Sequence, residues 1–164
     1  MLSRESSATL MGAVTAFLYR EARLQDEHQY EAWEKLWTDD GVYWVPANGA
    51  NIDPERQMSI IYDNRSRIAL RVRQLMTGKH FTQTPQSNLR RLVSNIELTD
   101  EQSGDDISVA SNSLIFESSL RDDTLWAARN EYRLRHVDGE LRMAYKKVVL
   151  VNNDKAIYTM SFLV

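Results

Sequence analysis

The sequence has 164 residues, 43% of them hydrophobic and 26% charged, and its formal net charge is -3. This length and composition predict one soluble domain over residues 1–164 with a substantial core. We expect no signal peptide and no membrane span, because no apolar run reaches the roughly eighteen residues that a span requires. Because the net charge is negative, the protein has no overall positive electrostatic field that would attract nucleic acid. We therefore expect a cytoplasmic protein without membrane or nucleic-acid partners.

The sequence contains no cysteine, which excludes disulfides, thiolate zinc sites, cysteine nucleophiles and cysteine-held iron–sulfur clusters within these residues. The three histidines, His28, His80 and His136, fall on a predicted helix start, a loop and a late strand. A non-haem iron site needs two histidines and a carboxylate converging on one metal, and this dispersion does not indicate one. No nucleophile elbow or P-loop is recognisable. We assign no catalytic, cofactor-binding or metal-binding residue.

The chain is predicted to open with an amphipathic helix over Ser7–Gln25, because its apolar residues recur at helical spacing. These residues are Leu10, Val14, Phe17 and Leu18. Asp26 and Gln29 have the spacing of a capping box. A second, shorter helix with an aromatic core-facing stripe should follow and pair with the first helix as a hairpin. Its aromatic residues are Tyr30, Trp33 and Trp37.

A short strand over Val42–Pro46 is predicted after the turn residues Asp39–Gly41, since it is rich in aromatic and β-branched side chains. The next stretch, Ala47–Pro54, favours turns and should form a loop. A brief apolar run, Ser59–Tyr62, follows this loop.

A basic helix is predicted after Asn64, which can cap it, and Gly78 marks its end. Arginines lie opposite its apolar stripe of Ile68, Val72 and Leu75; they are Arg65, Arg67, Arg71 and Arg73. One interpretation is a solvated face. The other is an interface, because arginine pairs well with the carboxylates of another subunit.

The stretch Gly78–Asn95 joins this helix to the first long strand, with an extended entry fixed by Pro85. Arg90 and Arg91 are adjacent in the strand, so one of them must face the apolar side unless a bulge intervenes. The pair is either solvated or part of a basic strand that meets a partner. In the second case, this strand and the loop before it form a docking surface.

The second half is predicted to form long strands separated by turn signals. The strands are Ile107–Leu120, Thr124–Val137, Glu140–Val151 and Tyr158–Leu163, and the turns are Asp122-Asp123 and Asp138-Gly139. Strands of this length must twist and coil, and a curved sheet needs its concave side filled. The sequence therefore predicts an α+β fold in which a curved antiparallel or mixed sheet, covered by the N-terminal helices, forms a cone.

A series of segments resembles the small (β) subunits of Rieske-type aromatic-ring-hydroxylating dioxygenases. The segments are YREARLQD, YEAW, Leu36, DDGVYWVP, IIYDNRSRIALRVRQLMTG, PQSNLRRLVSN, SNSLIFES, RNEYRLR and LRMAYKKVVLVNND. The first and last segments look closest to subunits that serve aromatic carboxylates such as benzoate or toluate. One departure is visible, because Arg91 stands where many members have histidine.

This resemblance implies a cone-shaped fold like that of nuclear transport factor 2, which belongs to the cystatin-like folds. It implies a structural role in aromatic compound catabolism, with the Rieske iron–sulfur cluster and mononuclear iron in a large (α) subunit. A homotrimer of small subunits would support three large subunits in a hetero-hexamer. The candidate subunit-interface residues are Arg90, Arg91, Arg65 and Arg71.

Two other functions stay open at this point, because the cone fold does not determine function. The first is a free-standing isomerase or dehydratase, in which His80 or His136 would form an acid–base pair with Asp26. The second is a scaffold or ligand-binding module unrelated to oxygenases, which would need a large apolar pocket.

Overall fold

The computed structural model describes residues 4–77, 86–99, 104–154 and 162–164. These residues form three helices and six strands. The helices are α1 (Arg4–Asp26), α2 (Tyr30–Glu34) and α3 (Arg65–Met76). The strands are β1 (Trp37–Pro46), β2 (Ser59–Asp63), β3 (Asn88–Leu98), β4 (Ile107–Ser118), β5 (Asp123–Val137) and β6 (Glu140–Leu150). Of the described helices, none combines the length and apolarity that crossing a bilayer requires.

The strands form one mixed sheet in the order β2-β1-β6-β5-β4-β3. Strands β1 and β6 run parallel, and the other neighbours are antiparallel. The β5–β6 connection confirms the predicted hairpin, because Asp138 and Gly139 have φ values of 51° and 81°. Positive φ at both central residues is the geometry of the tight turn that suits the twist of two paired strands. The α+β architecture predicted from the sequence is therefore confirmed.

Helix α1 covers the inner face of the sheet with the apolar stripe that the sequence predicted. Val14, Phe17 and Leu18 are buried, and they join a hydrophobic core that includes strand residues such as Leu134 and Val148. Strands β3, β4 and β5 alternate between buried and more exposed side chains over much of their length. This alternation places one face of the sheet toward the helices and leaves the other toward solvent.

The assignment of Trp37 to the second helix is wrong, because α2 ends at Glu34 and Trp37 begins β1. The predicted turn Asp39–Gly41 lies inside this strand as an irregular stretch. Pairing of β1 with β6 shifts register between Trp37 and Val42. Such an irregularity bends a strand without ending it.

The predicted core role of the aromatic residues is confirmed. Trp33, Trp37 and Tyr43 form an edge-to-face cluster with ring centroids 5.6–5.9 Å apart. All three side chains are buried. Edge-to-face contacts add to the stabilisation that their buried area provides. The cluster therefore joins α2 to the first strand of the sheet.

The predicted capping box at Asp26 is also wrong. The residue before α2 is Gln29, whose side chain makes no capping hydrogen bond, and Asp26 binds a distant arginine instead. The predicted cap of α3 is confirmed, because the amide of Arg67 donates to Asn64 Oδ1 at 3.0 Å. The two cases differ because only Asn64 is free of a tertiary partner that competes for its side chain.

Several predicted features lie outside the described residues. They are the helix stop at Gly78, the loop containing His80, the extended entry at Pro85, and residues 158–161 of the last predicted strand. The other two residues of that strand, Phe162 and Leu163, are buried but do not have strand geometry. Strand β4 ends at Ser118, two residues earlier than predicted.

We predict that Gly41→Ala destabilises the protein by about 1–3 kcal/mol, because the added methyl overpacks a filled region. A Cβ at this position would stand 2.6 Å from Cε3 of the buried Trp37 ring. Gly12→Ala is the matched control, since nothing lies within 4 Å of a Cβ there. In the exposed interior of α1, this control should stabilise by about 0.5–1 kcal/mol. Urea unfolding followed by circular dichroism measures both, and equal effects would contradict the packing explanation.

Candidate functional site

The interior contains a buried ion pair between Glu21 of α1 and Lys146 of β6. Lys146 Nζ lies 2.8 Å from Glu21 Oε2, and each side chain is 2% exposed. The same carboxylate accepts hydrogen bonds from Trp33 Nε1 at 3.0 Å and from the Tyr132 hydroxyl at 2.8 Å. A buried charge is tolerated only when it is paired and hydrogen-bonded. Glu21 therefore links both N-terminal helices to two strands of the sheet.

Burial shifts the pKa values of the ionisable side chains around Glu21. Burial raises the pKa of Tyr132 well above its usual value, and the charge of Glu21 raises it further. Burial likewise raises the pKa of Tyr43. Burial lowers the pKa of Lys146, while Glu21 opposes this effect. Both tyrosines therefore remain hydrogen-bond donors at neutral pH.

Two residues at the far end of the sequence fill the interior beside this ion pair. Val164 and Phe162 are buried. The main-chain oxygen of Val164 accepts hydrogen bonds from the Tyr43 hydroxyl at 2.7 Å and from Gln25 Nε2 at 3.3 Å. The ring of Phe162 meets Trp126 edge-on, with the centroids 5.7 Å apart. The main-chain oxygen of Val164 is thus bonded to side chains of the chain itself.

Arg91, one of the candidate subunit-interface residues, points into this interior. Its side chain is 3% exposed, and its Nε donates to Asp26 Oδ1 at 2.7 Å. Its two terminal nitrogens donate to Gln25 Oε1 at 2.9 Å and to the main-chain oxygen of Leu163 at 3.1 Å. The main-chain amide of Arg91 also donates to Asp26 Oδ2 at 3.0 Å. Arg91 therefore fastens the edge strand β3 to α1.

Arg90 points the opposite way, as strict alternation along a strand requires. It is exposed and lines a groove of about 350 Å³ between α1 and β3. The groove residues are Tyr19, Ala22, Arg23, Asp26, Glu27, Arg90, Arg91, Leu92 and Val93. Among the described residues, neither Arg90 nor Arg23 has an ion-pair partner within 4 Å. The groove therefore presents two arginines without an ion-pair partner, together with the carboxylate of Glu27, beside apolar side chains.

The other two candidate arginines have partners within the chain. Arg71 binds Asp63 at the end of β2, with Nε 2.7 Å from Oδ2 and one terminal nitrogen 3.3 Å from Oδ1. Arg65 lies 3.5 Å from Glu34 of α2. Both arginines are only partly exposed. They fasten α3 to its neighbours, so Arg90 is the candidate best placed to meet another molecule.

The two histidines that the structure describes, His28 and His136, do not converge. The Tyr30 hydroxyl lies 2.7 Å from His28 Nδ1, while His28 Nε2 lies 2.8 Å from the Ser87 main-chain oxygen and must donate to it. Burial raises the pKa of Tyr30 to about 12, which keeps its hydroxyl available as a donor to Nδ1. His136 is exposed on β5, and His80 lies outside the described residues. Across the part of the chain that the structure describes, no group of three or more potential ligands could hold a metal ion.

The sequence analysis missed the pair of Glu21 and Lys146. A signal for it existed, because Glu21 and Gln25 continue the helical spacing of Val14 and Leu18 and so lie on the buried face of α1. Lys146 likewise lies on the buried face of β6, two residues from the buried Ala144 and Val148. A glutamate and a lysine on buried faces indicate a paired charge, but a sequence separation of 125 positions hides the partner.

These features define a cone-like α+β protein in which buried side chains of the described residues bond to one another. The family described as ring hydroxylating beta subunit matches residues 20–154. The small oxygenase component of the p-cumate 2,3-dioxygenase system of Pseudomonas putida is 32% identical over 139 residues, which cover 84% of this chain and 77% of that protein. This chain therefore belongs to the family of small (β) subunits of aromatic-ring-hydroxylating dioxygenases.

Solved structures support the same fold. The beta subunit of the benzoate 1,2-dioxygenase of Burkholderia mallei has a TM-score of 0.74 and 24% identity, covering 92% of this chain and 95% of that one. A structure of naphthalene 1,2-dioxygenase with bound indole has a TM-score of 0.81 and 16% identity, covering 99% and 95% of the two chains. The predicted cone fold, like that of nuclear transport factor 2, is confirmed.

We predict that Arg91→Ala destabilises the protein strongly and that Arg90→Ala hardly changes its stability, although the residues are adjacent. Arg91→Ala leaves the buried carboxylate of Asp26 without its cation and should cost about 3–5 kcal/mol. Arg90→Ala removes an exposed side chain and should change stability by no more than about 0.5 kcal/mol. Chemical denaturation of both variants tests this. Similar losses would show that the two arginines share one environment.

Proposed function

We propose that residues 1–164 form one domain, the small subunit of a terminal oxygenase that hydroxylates an aromatic ring in the cytoplasm. This subunit binds a large subunit, which carries the Rieske iron–sulfur cluster and the mononuclear iron. A homotrimer of small subunits and three large subunits together form a hetero-hexamer. The observation that carries this proposal is the family match, which extends over residues 20–154.

We base the proposed substrate class on relatives whose names specify carboxylated arenes. One belongs to a p-cumate dioxygenase system and the other to a benzoate dioxygenase. Both substrates combine an aromatic ring with a carboxylate. We therefore propose that the complete oxygenase acts on an aromatic acid, with the ring chemistry performed in the large subunit.

The bonding of the interior supports a role in assembly over a role as an independent enzyme. An isomerase or dehydratase would need a histidine beside Asp26, but that carboxylate is bonded to Arg91. His136 is exposed on β5 next to the β5–β6 turn. The chain's contribution to the oxygenase is then mechanical, because it holds large subunits in place through its outer surfaces.

Arg90 is the residue that we propose for docking other subunits. It is exposed beside a groove and has no ion-pair partner among the residues that the structure describes. An arginine in this position can form a bidentate pair with a carboxylate of a neighbour. Arg65 and Arg71 remain secondary contacts in this proposal, since each is partly exposed but already paired.

We predict that Arg90→Ala weakens assembly by about 2–5 kcal/mol, because truncation strands the desolvated carboxylate of its partner. Analytical ultracentrifugation of the chain with and without a co-expressed Rieske large subunit measures this loss. Arg56→Ala is the matched control, because Arg56 is exposed and pairs only with nearby Asp53 at 3.6 Å. Assembly of Arg90→Ala at wild-type strength would refute the docking role. Failure of the wild-type chain to bind any Rieske large subunit would refute the proposed function.

A further inference from the structure

Residues 162–164 form a short buried segment, called segment 162–164 below, that the rest of the chain holds as a protein holds a ligand. Phe162, Leu163 and Val164 are 4%, 2% and 3% exposed, and they have neither helix nor strand geometry. The main-chain oxygens of the last two accept hydrogen bonds from side chains. Buried carbonyl oxygens need such donors, because the interior provides no bulk water to replace them.

Three side chains from three different elements supply these hydrogen bonds. Tyr43 of β1 and Gln25 of α1 donate to the main-chain oxygen of Val164, at 2.7 and 3.3 Å. Arg91 of β3 donates from one terminal nitrogen to the main-chain oxygen of Leu163, at 3.1 Å. Donors at separate points of the interior therefore receive two consecutive carbonyl oxygens.

Two of these donors are fixed by bonds that do not involve the segment. Asp26 binds Arg91 at its Nε and at its main-chain amide, at 2.7 and 3.0 Å. The other terminal nitrogen of Arg91 donates to Gln25 Oε1 at 2.9 Å. Because the oxygen of this side-chain amide accepts from Arg91, its nitrogen is the atom that faces Val164. Asp26 thus orients Arg91, and Arg91 orients Gln25.

The third donor is fixed by aromatic packing. The Tyr43 ring meets Trp33 and Trp37 edge-on, with centroids 5.8 and 5.9 Å away. Burial raises the pKa of Tyr43, so its hydroxyl keeps its proton at neutral pH. The Trp126 ring adds an apolar contact surface, on which Phe162 packs at 5.7 Å between centroids. The interior thus combines three oriented donors with an aromatic surface.

We infer that these groups form a preformed binding site for an apolar molecule with carbonyl oxygens, and that segment 162–164 is its internal ligand. The site suits neutral amides, because Asp26 already balances the charge of Arg91 and a carboxylate would add an unbalanced buried charge. A short apolar peptide is a ligand of this class. Preorganised donors favour binding, since little ordering is lost when the ligand enters. The inference goes beyond the role in assembly, because it makes segment 162–164 the part of the chain that closes this site.

The test uses a chain that ends at residue 161, with the blocked tripeptide acetyl-Phe-Leu-Val-amide as the probe. We expect the truncated chain to fold, with a lower melting temperature than the wild type, because it loses three buried apolar side chains. Isothermal titration calorimetry should show peptide binding with a Kd below about 1 mM. The wild-type chain should bind at least about tenfold more weakly, because its own segment occupies the site. The Trp126 indole signal in the NMR spectrum should shift on binding, since Phe162 contacts that ring.

Tyr43→Phe in the truncated chain tests the hydrogen bonds separately from the packing. This variant keeps the ring of the aromatic cluster and removes one donor, so the affinity for the peptide should fall about three- to tenfold. Tyr62→Phe is the matched control, because the Tyr62 hydroxyl donates to Glu55 on the surface at 3.2 Å. Its affinity for the peptide should equal that of the truncated chain.

Three results would overturn the inference. The first is a folded truncated chain that does not bind the peptide. The second is equal affinity of the Tyr43→Phe and Tyr62→Phe variants, which would show that the peptide fills an apolar cavity without recognition of its carbonyl oxygens. The third is a truncated chain that does not fold, because a preformed site must exist without segment 162–164. None of these results bears on the proposed function, which is tested by binding of a large subunit.

Discussion

The rest of the structure depends on the buried carboxylate of Glu21. It accepts from Trp33 of α2, Tyr132 of β5 and Lys146 of β6. Taking a carboxylate out of water is costly unless donors replace the lost hydration, and each of these donors comes from a different element. The carboxylate is therefore satisfied only when both helices and the two strands are in their native positions. A buried charge of this kind specifies one arrangement of the fold more than it adds net stability.

The same principle supports the proposal that the function lies on the surface. Arg91, Gln25 and Tyr43 direct their polar atoms at Asp26 and at the main-chain oxygens of residues 163 and 164. Hydrogen-bonding groups committed to each other have little left to offer a substrate. The arginine groove beside α1 lies outside this network. A protein built in this way acts by holding other subunits.

The sequence predicted those parts of the fold that local patterns determine. Alternation identified three long strands to within about two residues, which is the usual uncertainty of an element boundary, and Asp138-Gly139 specified its hairpin. Trp37 and Asp26 were assigned wrongly because tertiary contacts override local signals there: a strand pairing with β6 in one case, and an ion pair with Arg91 in the other. Alternation also required adjacent arginines to diverge, but no local signal indicated which one was buried. That choice depends on α1, which contributes Asp26 from 65 positions away.

The central claim is that this chain contributes assembly and no interior chemistry to the oxygenase. The most direct test is oxygen uptake by the complete oxygenase assembled with the double variant Glu21→Gln/Lys146→Met, on the best substrate of the wild-type complex. The variant removes both charges of the Glu21–Lys146 pair together, so neither is left buried without its partner. If the complex still forms, turnover per large subunit should equal that of the wild type. A loss of turnover in an intact complex would contradict the account, because it would give the interior of the small subunit a part in the reaction.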